Sequence, residues 1–216
     1  MSDKKLYARK ETNMIIVYGQ ASSPYCQKVT LMLDTLGLPY GFRTPATGGG
    51  DAVSAELLAL NPNGTVPVLL DQDNGITVFE SAAILLYLAE KTNKLLPTEL
   101  RPRAEVYQWL VFEAATMGAV AAELYHYLCV APEDVPYAQA RNKSRFLRCA
   151  AILEKQLDGR DYLCGRLSIA DMAIYPWVNL LEDFTSTPLA GYPHLNDWLT
   201  RIRQRASQTS SEMEIA

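Results

Sequence analysis

The stretch from residue 61 to residue 88, NPNGTVPVLLDQDNGITVFESAAILLYL, constrains the fold of this chain most strongly. It opens with turn-forming residues and continues with an apolar run of strand length that has Pro67 near its start. A polar turn, a short strand at residues 76–78 and a helix opened by Glu80 and Ser81 follow. This order predicts a β-hairpin that leads directly into a helix, as in the core of an α/β domain.

Pro67 and the start of the helix also make this stretch a candidate ligand site. A proline that enters a strand after a tight turn is one place where a cis peptide is used, and it cannot donate to a sheet ladder. A cis bond there would leave the backbone of Val66 free to pair with something outside the sheet. The helix N-terminus at Ser81 presents free N–H groups and a partial positive charge, which suit a carboxylate. The pattern is equally compatible with an ordinary hairpin and helix.

Composition narrows the class of protein. The chain has 216 residues, enough for one large domain or two small ones, with a net charge of -4 that gives no support for a nucleic-acid partner. No apolar run approaches the roughly 20 residues that a membrane helix needs. Residues 1–13 are polar and resemble an extension rather than a secretory signal. The cysteines, of which there are four, show no metal pattern, so reduced thiols in the cytosol are expected.

The residues before this stretch predict the rest of an α/β domain. In order, these elements are a strand at residues 14–18, a helix from Pro24 to Gly37, a strand at 40–43 and a helix at 52–60. The segment at residues 44–50, which contains three consecutive glycines, is predicted to be flexible. Together with the hairpin and its helix they give the order βαβαββα and a mixed sheet of four strands.

The sequence pattern after residue 91 predicts helices as the only regular secondary structure. Residues 92–102 are polar and proline-bearing, which indicates a linker between a first domain at 1–91 and an all-helical domain at 103–216. Ser168 and Asp171 form a capping box at the start of one of the helices. The other helices are predicted at residues 99–128, 135–157 and 193–206, with a frayed polar tail at 208–216. The predicted fold class is therefore an α/β domain followed by a helical bundle.

The loop from Ser23 to Cys26 joins the first strand to the first helix, where ligands tend to bind in open α/β sheets. A hydroxyl or thiol here lies beside a helix N-terminus, which stabilises an anion. Ser23 is either a helix cap or a ligand contact, and Cys26 is either a packing residue or a reactive thiol. Because Cys26 comes one turn into the helix, its side chain is expected to be buried and to point away from Ser23.

Four segments together resemble the cytosolic glutathione transferases. They are SPYCQKV at residues 23–29, NPNGTVPVL at 61–69, FESAAILLYL at 79–88 and LSIAD at 167–171. Their order and spacing extend the resemblance over roughly residues 14–206, nearly the whole chain. Within that family the chain is most similar to the bacterial Nu-class proteins, which act as glutathione-dependent disulfide reductases. Two segments favour that class, residues 80–91 and 135–141. The resemblance implies a thioredoxin-like first domain.

The resemblance also implies how the first domain holds glutathione. Val66, preceding a cis Pro67, pairs through its backbone with the cysteinyl part of the tripeptide. Glu80 and Ser81 hold its γ-glutamyl end, with the carboxylate at Ser81 and the helix N-terminus.

Three further residues are implied to contact glutathione. Ser23 matches the residue that donates a hydrogen bond to the glutathione sulfur and thereby stabilises the thiolate, which makes it the predicted catalytic residue. Arg141 matches an arginine that reaches glutathione from the helical domain. Tyr25 stands where the Nu-class loop usually has an asparagine that also contacts the sulfur. The loop also resembles a glutaredoxin Cys-Pro-Tyr-Cys box with Ser23 in place of its first cysteine, which would make Cys26 dispensable.

The predicted function is that of a glutathione transferase, which directs the thiolate of glutathione at an electrophilic carbon or a disulfide. One alternative is a glutathione-dependent disulfide or peroxide reductase of the Nu-class type, and another is a non-catalytic interaction protein with the transferase fold. Glutathione is the expected co-substrate, without a metal, and the second substrate is a small hydrophobic electrophile or a disulfide. The resemblance further implies a cytoplasmic homodimer in which the first domain of one subunit contacts the helices of the other.

Overall fold

The computed structural model describes residues 14–45 and 54–214, with side chains as far as Arg205. The predicted extension at residues 1–13 lies outside the described residues, as do most of the glycine-rich segment and the first two residues of the helix predicted at 52–60.

The first domain contains a four-stranded mixed sheet with the strand order β2-β1-β3-β4. β1 is parallel to β2 and antiparallel to β3, which is antiparallel to β4. The strands are β1 Ile15–Tyr18, β2 Tyr40–Arg43, β3 Val68–Asp71 and β4 Ile76–Phe79, and the helices are α1 Pro24–Leu36, α2 Ala55–Leu60 and α3 Ser81–Thr92. This arrangement confirms the predicted order βαβαββα.

The two faces of the sheet bury alternate residues of its strands, because successive side chains of a strand point to opposite sides. Val17 and Leu69 belong to the main core cluster, which also includes residues of α1 and α3. Ile16 and Val68 pack instead in a smaller cluster with Leu57 of α2. The sheet therefore lies between α2 on one side and α1 with α3 on the other.

Asp71 at the end of β3 fastens the hairpin to α3. Its buried carboxylate accepts hydrogen bonds from the hydroxyl of Tyr87 at 2.5 Å and from the ammonium of Lys91, both on α3. Burial raises the pKa of Asp71, but these hydrogen bonds and the charge of Lys91 outweigh it, so the pKa is lower than usual. The network holds α3 in place relative to β3.

The second part of the chain is helical, as predicted. Its helices are α4 Leu100–Phe112, α5 Gly118–Tyr125, α6 Pro136–Gln156, α7 Ile169–Asn179, α8 Leu181–Thr185 and α9 Pro193–Glu214. Two π-helical turns, Glu113–Met117 and His126–Val130, continue α4 and α5, so the predicted long helix contains one wide turn and ends in another. Ser168 and Asp171 form the predicted capping box at the start of α7.

α4 begins at Leu100, one residue after the predicted helix start at residue 99, and it overlaps the end of the segment that was interpreted as a linker. Pro102 is tolerated because it lies in the first turn of the helix, where its missing N–H has no intrahelical partner to lose. One predicted boundary in this part is wrong. α9 continues to Glu214, well into the tail that was predicted to be frayed. We propose that the boundary between the two domains lies between Thr92, the last residue of α3, and Leu100.

The two domains share one hydrophobic core. Val29 and Met32 of α1 belong to the same buried cluster as Ile174 and Trp177 of α7. None of the helices in the described part of the chain is long and apolar enough to cross a membrane.

Candidate functional site

Ser23 ends the loop after β1 and occupies the N-cap position of α1. Its carbonyl oxygen accepts the backbone N–H groups of Cys26 at 3.0 Å and Gln27 at 2.9 Å, which starts the helix. Its half-buried side chain makes no hydrogen bond to the N–H groups of the helix that it caps. The hydroxyl is therefore not committed to capping.

The Cys26 side chain is fully buried, as expected, but it does not point away from Ser23. Its Sγ atom accepts a hydrogen bond from the backbone N–H of Gln20 at 3.4 Å. Burial raises the pKa of this thiol, while hydrogen bonding from Gln20 and from the Ser23 side chain acts in the opposite direction. Gly19 leaves room for the sulfur, because a Cβ atom there would lie 2.7 Å from it. The expected direction was wrong because the sulfur is held against the loop by the N–H of Gln20 and the Ser23 side chain, in the space beside Gly19.

Asn61 builds the turn that precedes the cis peptide bond. Its buried side-chain amide donates to the carbonyl oxygen of Thr65 at 2.8 Å and accepts the N–H of Asn63 at 2.9 Å. The Val66–Pro67 peptide bond that follows is cis, as predicted. Because β3 begins only at Val68, the backbone of Val66 lies outside the sheet ladder.

The start of α3 lies next to this turn. Glu80 is the N-cap residue and has φ 67° and ψ 114°, a region that L residues rarely adopt and that concentrates at ligand sites. Ser81 begins the helix, and its hydroxyl has no hydrogen-bond partner among the described residues. The first N–H groups of a helix also lack intrahelical partners. This end of α3 is consequently suited to bind a carboxylate.

A cavity of about 300 Å³ brings most of these residues together. It is lined by five of the seven predicted binding residues, namely Tyr25, Val66, Pro67, Glu80 and Ser81. Ser23 is two residues from Tyr25 but does not line the cavity itself.

Arg141 is the predicted residue that the structure does not bring to the cavity. It lies exposed near the beginning of α6, and it is not among the lining residues. A larger groove of about 830 Å³ runs along α4 beside Leu100, Trp109 and Ile152, and it contains none of the predicted site residues.

A buried ion pair, which the sequence did not predict, forms one wall of the cavity. The ammonium of Lys28 on α1 donates to Oε1 of Glu113 at 2.6 Å, and the indole N–H of Trp177 on α7 donates to the same oxygen at 2.6 Å. Lys28 and Glu113 are both fully buried, and both line the cavity. The two residues are 85 positions apart, so no local pattern could have paired them.

The charged residues of the cavity wall shift the pKa values of their neighbours. Burial lowers the pKa of Lys28, and the carboxylate of Glu113 opposes this shift. Burial also raises the pKa of Tyr25, as do the charges of Glu113 and Glu80. The Tyr25 ring packs edge-on against Trp177 with centroids 5.0 Å apart, and its hydroxyl donates to the carbonyl oxygen of Gly118 at 3.4 Å. That hydroxyl is therefore directed at the helical domain.

The part of the chain that the structure describes contains no group of three or more His, Cys, Asp or Glu side chains that could hold a metal ion. The residues that line the cavity offer hydrogen bonding and charge stabilisation by side chains, backbone groups and a helix N-terminus.

Comparison with known families identifies both halves of the chain. The family model described as the glutathione S-transferase N-terminal domain matches residues 22–91. The model described as the glutathione S-transferase C-terminal domain matches residues 107–206.

Two relatives from Escherichia coli are named disulfide-bond oxidoreductases. YfcG is 37% identical over 191 residues, covering 86% of this chain and 88% of the relative. YghU is 34% identical over 201 residues, covering 85% of this chain and 69% of the relative.

Solved structures with similar folds contain glutathione. A glutathione transferase from Burkholderia graminis, with two glutathione molecules bound per subunit, is 27% identical with a TM-score of 0.81, covering 93% of this chain and 90% of that one. A glutathione transferase from Pseudomonas putida, with one glutathione disulfide per subunit, is 26% identical with a TM-score of 0.79, covering 94% and 93%.

Proposed function

Because this chain belongs to the glutathione S-transferase family, we propose that it binds glutathione in the 300 Å³ cavity and uses the thiolate as a nucleophile. The main observation in support is that two different kinds of binding group line the same cavity. Val66 offers backbone groups outside the sheet, and Ser81 offers a free hydroxyl at a helix N-terminus. An extended peptide with a carboxylate at one end complements both.

In this arrangement the backbone of Val66, before the cis Pro67, pairs with the cysteinyl residue of glutathione. Ser81 and the first N–H groups of α3 hold the γ-glutamyl carboxylate, and Glu80 lies next to them. Arg141 would reach the ligand from α6 only after its exposed side chain turns toward the cavity.

Ser23 is the proposed catalytic residue. A free thiol has a pKa near 8.5, so it is mostly protonated at neutral pH and needs stabilisation as the thiolate. The Ser23 hydroxyl is not used for capping, and it lies at the N-terminus of α1, where the helix dipole also favours an anion. Donation of a hydrogen bond from this hydroxyl to the sulfur of glutathione lowers the pKa of the bound thiol.

Two reactions are open to the bound thiolate. Attack on an electrophilic carbon forms a thioether and expels a leaving group with its electron pair. Attack on a disulfide forms a mixed disulfide and releases the other half as a thiolate; a second glutathione thiolate then gives glutathione disulfide and releases the remaining half. The names of the two Escherichia coli relatives favour the second reaction.

Turnover measurements separate these reactions. The purified protein is assayed with glutathione and a panel of aryl halides, low-molecular-weight disulfides and hydroperoxides, and its affinity for glutathione is measured by calorimetry. Faster turnover of disulfides than of aryl halides supports the reductase, and the opposite order supports the transferase. A protein that is not retained on a glutathione affinity column and shows no calorimetric binding would instead be a non-catalytic member of the fold.

We also propose a homodimer in the cytoplasm. Ile76 and Phe79 of the edge strand β4 and Tyr107 and Val111 of α4 are exposed apolar residues, which suits an interface between the first domain and the helices of a partner. The four cysteines are all free, in keeping with a reducing compartment. Sedimentation that gives a monomer of 24.0 kDa at micromolar concentration would refute the dimer.

A further inference from the structure

Tyr25 connects the first turn of α1 to the helical domain. It is the second residue of α1 and follows the N-cap residue Ser23 by two positions. Its half-buried ring packs edge-on against the buried indole of Trp177 in α7, with the ring planes at 81° and the centroids 5.0 Å apart. Edge-to-face aromatic pairs are attractive because the positive edge of one ring meets the negative face of the other. The turn that carries Ser23 is thereby attached to the second domain.

A second contact, with Lys28 of the first domain, holds the same ring. The ammonium of Lys28 lies 5.1 Å from the centroid of the Tyr25 ring, within the range of about 6 Å at which a cation is attracted to an aromatic face. Lys28 comes three residues after Tyr25, so the two side chains lie on the same face of α1. The ammonium is itself paired with Glu113 of the second domain at 2.6 Å. The position of the ring therefore depends on how the two domains pack.

The Tyr25 hydroxyl is a neutral donor directed at the second domain. Burial raises its pKa, and the charges of Glu113 and Glu80 act in the same direction, so it keeps its proton at neutral pH. A tyrosine hydroxyl has one proton to donate, and this one is given to the carbonyl oxygen of Gly118 at 3.4 Å, a long hydrogen bond. Donation to a glutathione sulfur beside Ser23 would require that bond to break. The part of Tyr25 that is available to the cavity is therefore its ring.

We propose that Tyr25 is a positioning residue whose ring fixes the first turn of α1 and thereby places the Ser23 hydroxyl at the sulfur of bound glutathione. This assignment rests on the proposed function, in which Ser23 stabilises the thiolate. Ser23 makes no side-chain hydrogen bond to the N–H groups of α1, so its hydroxyl moves with the backbone of this turn. A displacement of about 1 Å can lower a rate about a hundredfold. Tyr25 itself exchanges no proton or electron pair with the ligand.

The test separates the ring from the hydroxyl. Tyr25→Leu removes both, whereas Tyr25→Phe keeps the ring and removes the hydroxyl, and each is made in the wild-type protein and in Ser23→Ala. For each protein, calorimetry measures the affinity for glutathione, and the ultraviolet absorbance of the thiolate gives the pH at which the bound thiol ionises. The matched control is Tyr137→Leu, because Tyr137 lies on α6 with 78% of its surface exposed.

We expect Tyr25→Leu to raise the pH of ionisation by about one unit and to lower turnover at neutral pH about tenfold. Tyr25→Phe should rescue ionisation to within about 0.3 pH units of the wild type, because the ring keeps its contacts with Trp177 and Lys28. In Ser23→Ala, the further change Tyr25→Leu should cause no additional rise, because the hydroxyl that Tyr25 positions is already absent. In Tyr137→Leu the bound thiol should ionise as it does in the wild type.

Two results would overturn the assignment and leave the proposed function standing. An unchanged pH of ionisation in Tyr25→Leu would show that the ring serves packing alone. A rise in Tyr25→Phe that equals the rise in Tyr25→Leu and adds to that of Ser23→Ala would show that the hydroxyl donates directly to the sulfur. If Tyr25→Leu does not fold, Tyr25→Met takes its place, since methionine fills the space without a ring, and the same rise is expected. If the wild-type protein does not bind glutathione, the proposed function fails, and the assignment fails with it.

Discussion

The buried pair of Lys28 and Glu113 should contribute strongly to stability, and a double-mutant cycle measures that contribution. Both side chains are almost completely buried, at 1% and 0% exposure, and their charged atoms are 2.6 Å apart. Lys28→Met leaves Glu113 with the indole N–H of Trp177 as its remaining donor. Since this substitution removes the cation and leaves the buried carboxylate without its charged partner, we expect a loss of about 3–5 kcal/mol in the free energy of unfolding.

The other single variant should be somewhat less harmful. Glu113→Gln keeps an oxygen that accepts from Lys28, and the ammonium also lies 5.1 Å from the Tyr25 ring centroid and 5.7 Å from that of Trp177. These aromatic faces stabilise a cation, so we expect a loss of about 2–4 kcal/mol. The double variant has neither charge, and its loss should be smaller than the sum of the single losses by about 2 kcal/mol or more.

Urea unfolding, followed by circular dichroism without ligand, gives the four free energies of this cycle. The matched control is the pair of Arg160 and Glu105, whose charged atoms are 2.8 Å apart but whose side chains are 42% and 36% exposed. Exposed pairs contribute little, so the coupling in a cycle of Arg160→Met and Glu105→Gln should be below about 1 kcal/mol. Losses at Lys28 and Glu113 that add within about 0.5 kcal/mol would refute the reasoning.

Three further predictions test the proposed site and the anchoring of α3. Ser81→Ala should weaken glutathione binding by about 1.5–3 kcal/mol in calorimetry, because a hydrogen bond to a carboxylate is lost, whereas the exposed Ser144→Ala on α6 should bind as the wild type does. Ser23→Ala should raise the pH at which the bound thiol ionises and lower turnover about tenfold or more, while Cys26→Ala leaves turnover almost unchanged; the reverse result would indicate a protein-thiol mechanism. Asp71→Asn should be less stable than the wild type by about 2 kcal/mol at pH 7. Because the folded-state pKa of Asp71 is lowered, its stabilising effect is present above the unfolded-state pKa of about 3.9 and is lost as the pH falls through the folded-state pKa. The gap between the two unfolding free energies should therefore close below about pH 4, and a gap that stays constant from pH 7 to pH 3 would contradict this.

The local elements of the fold could be predicted because each has a signal within a few residues. Gly37 ends α1 with φ 67°, as its position after an apolar face indicates. Ser168 and Asp171 form their capping box within four consecutive residues. The cis bond before Pro67 follows from a turn and a proline that are adjacent in the chain.

The features that sequence reasoning missed depend on contacts between distant residues. Lys28 looks like any helix lysine until Glu113 and Trp177 are placed beside it by the packing of α1 against α7 and the start of the π-helical turn. The direction of the Cys26 side chain likewise depends on the backbone of Gln20 and on the space above Gly19. The one available signal in the sequence was a charged residue, Lys28, within a mostly apolar helix face. That signal does not indicate which residue would pair with it.

The same contacts explain why the cavity needs both domains. The first domain alone supplies the free backbone of Val66 and the start of α3, the two groups that are proposed to bind the peptide. It also supplies Lys28, whose buried ammonium is paired with the carboxylate of Glu113 in the second domain. The helical domain therefore completes the cavity chemically, and a change that moves the π-helical turn Glu113–Met117 should affect ligand binding even when Val66 and Ser81 are unchanged.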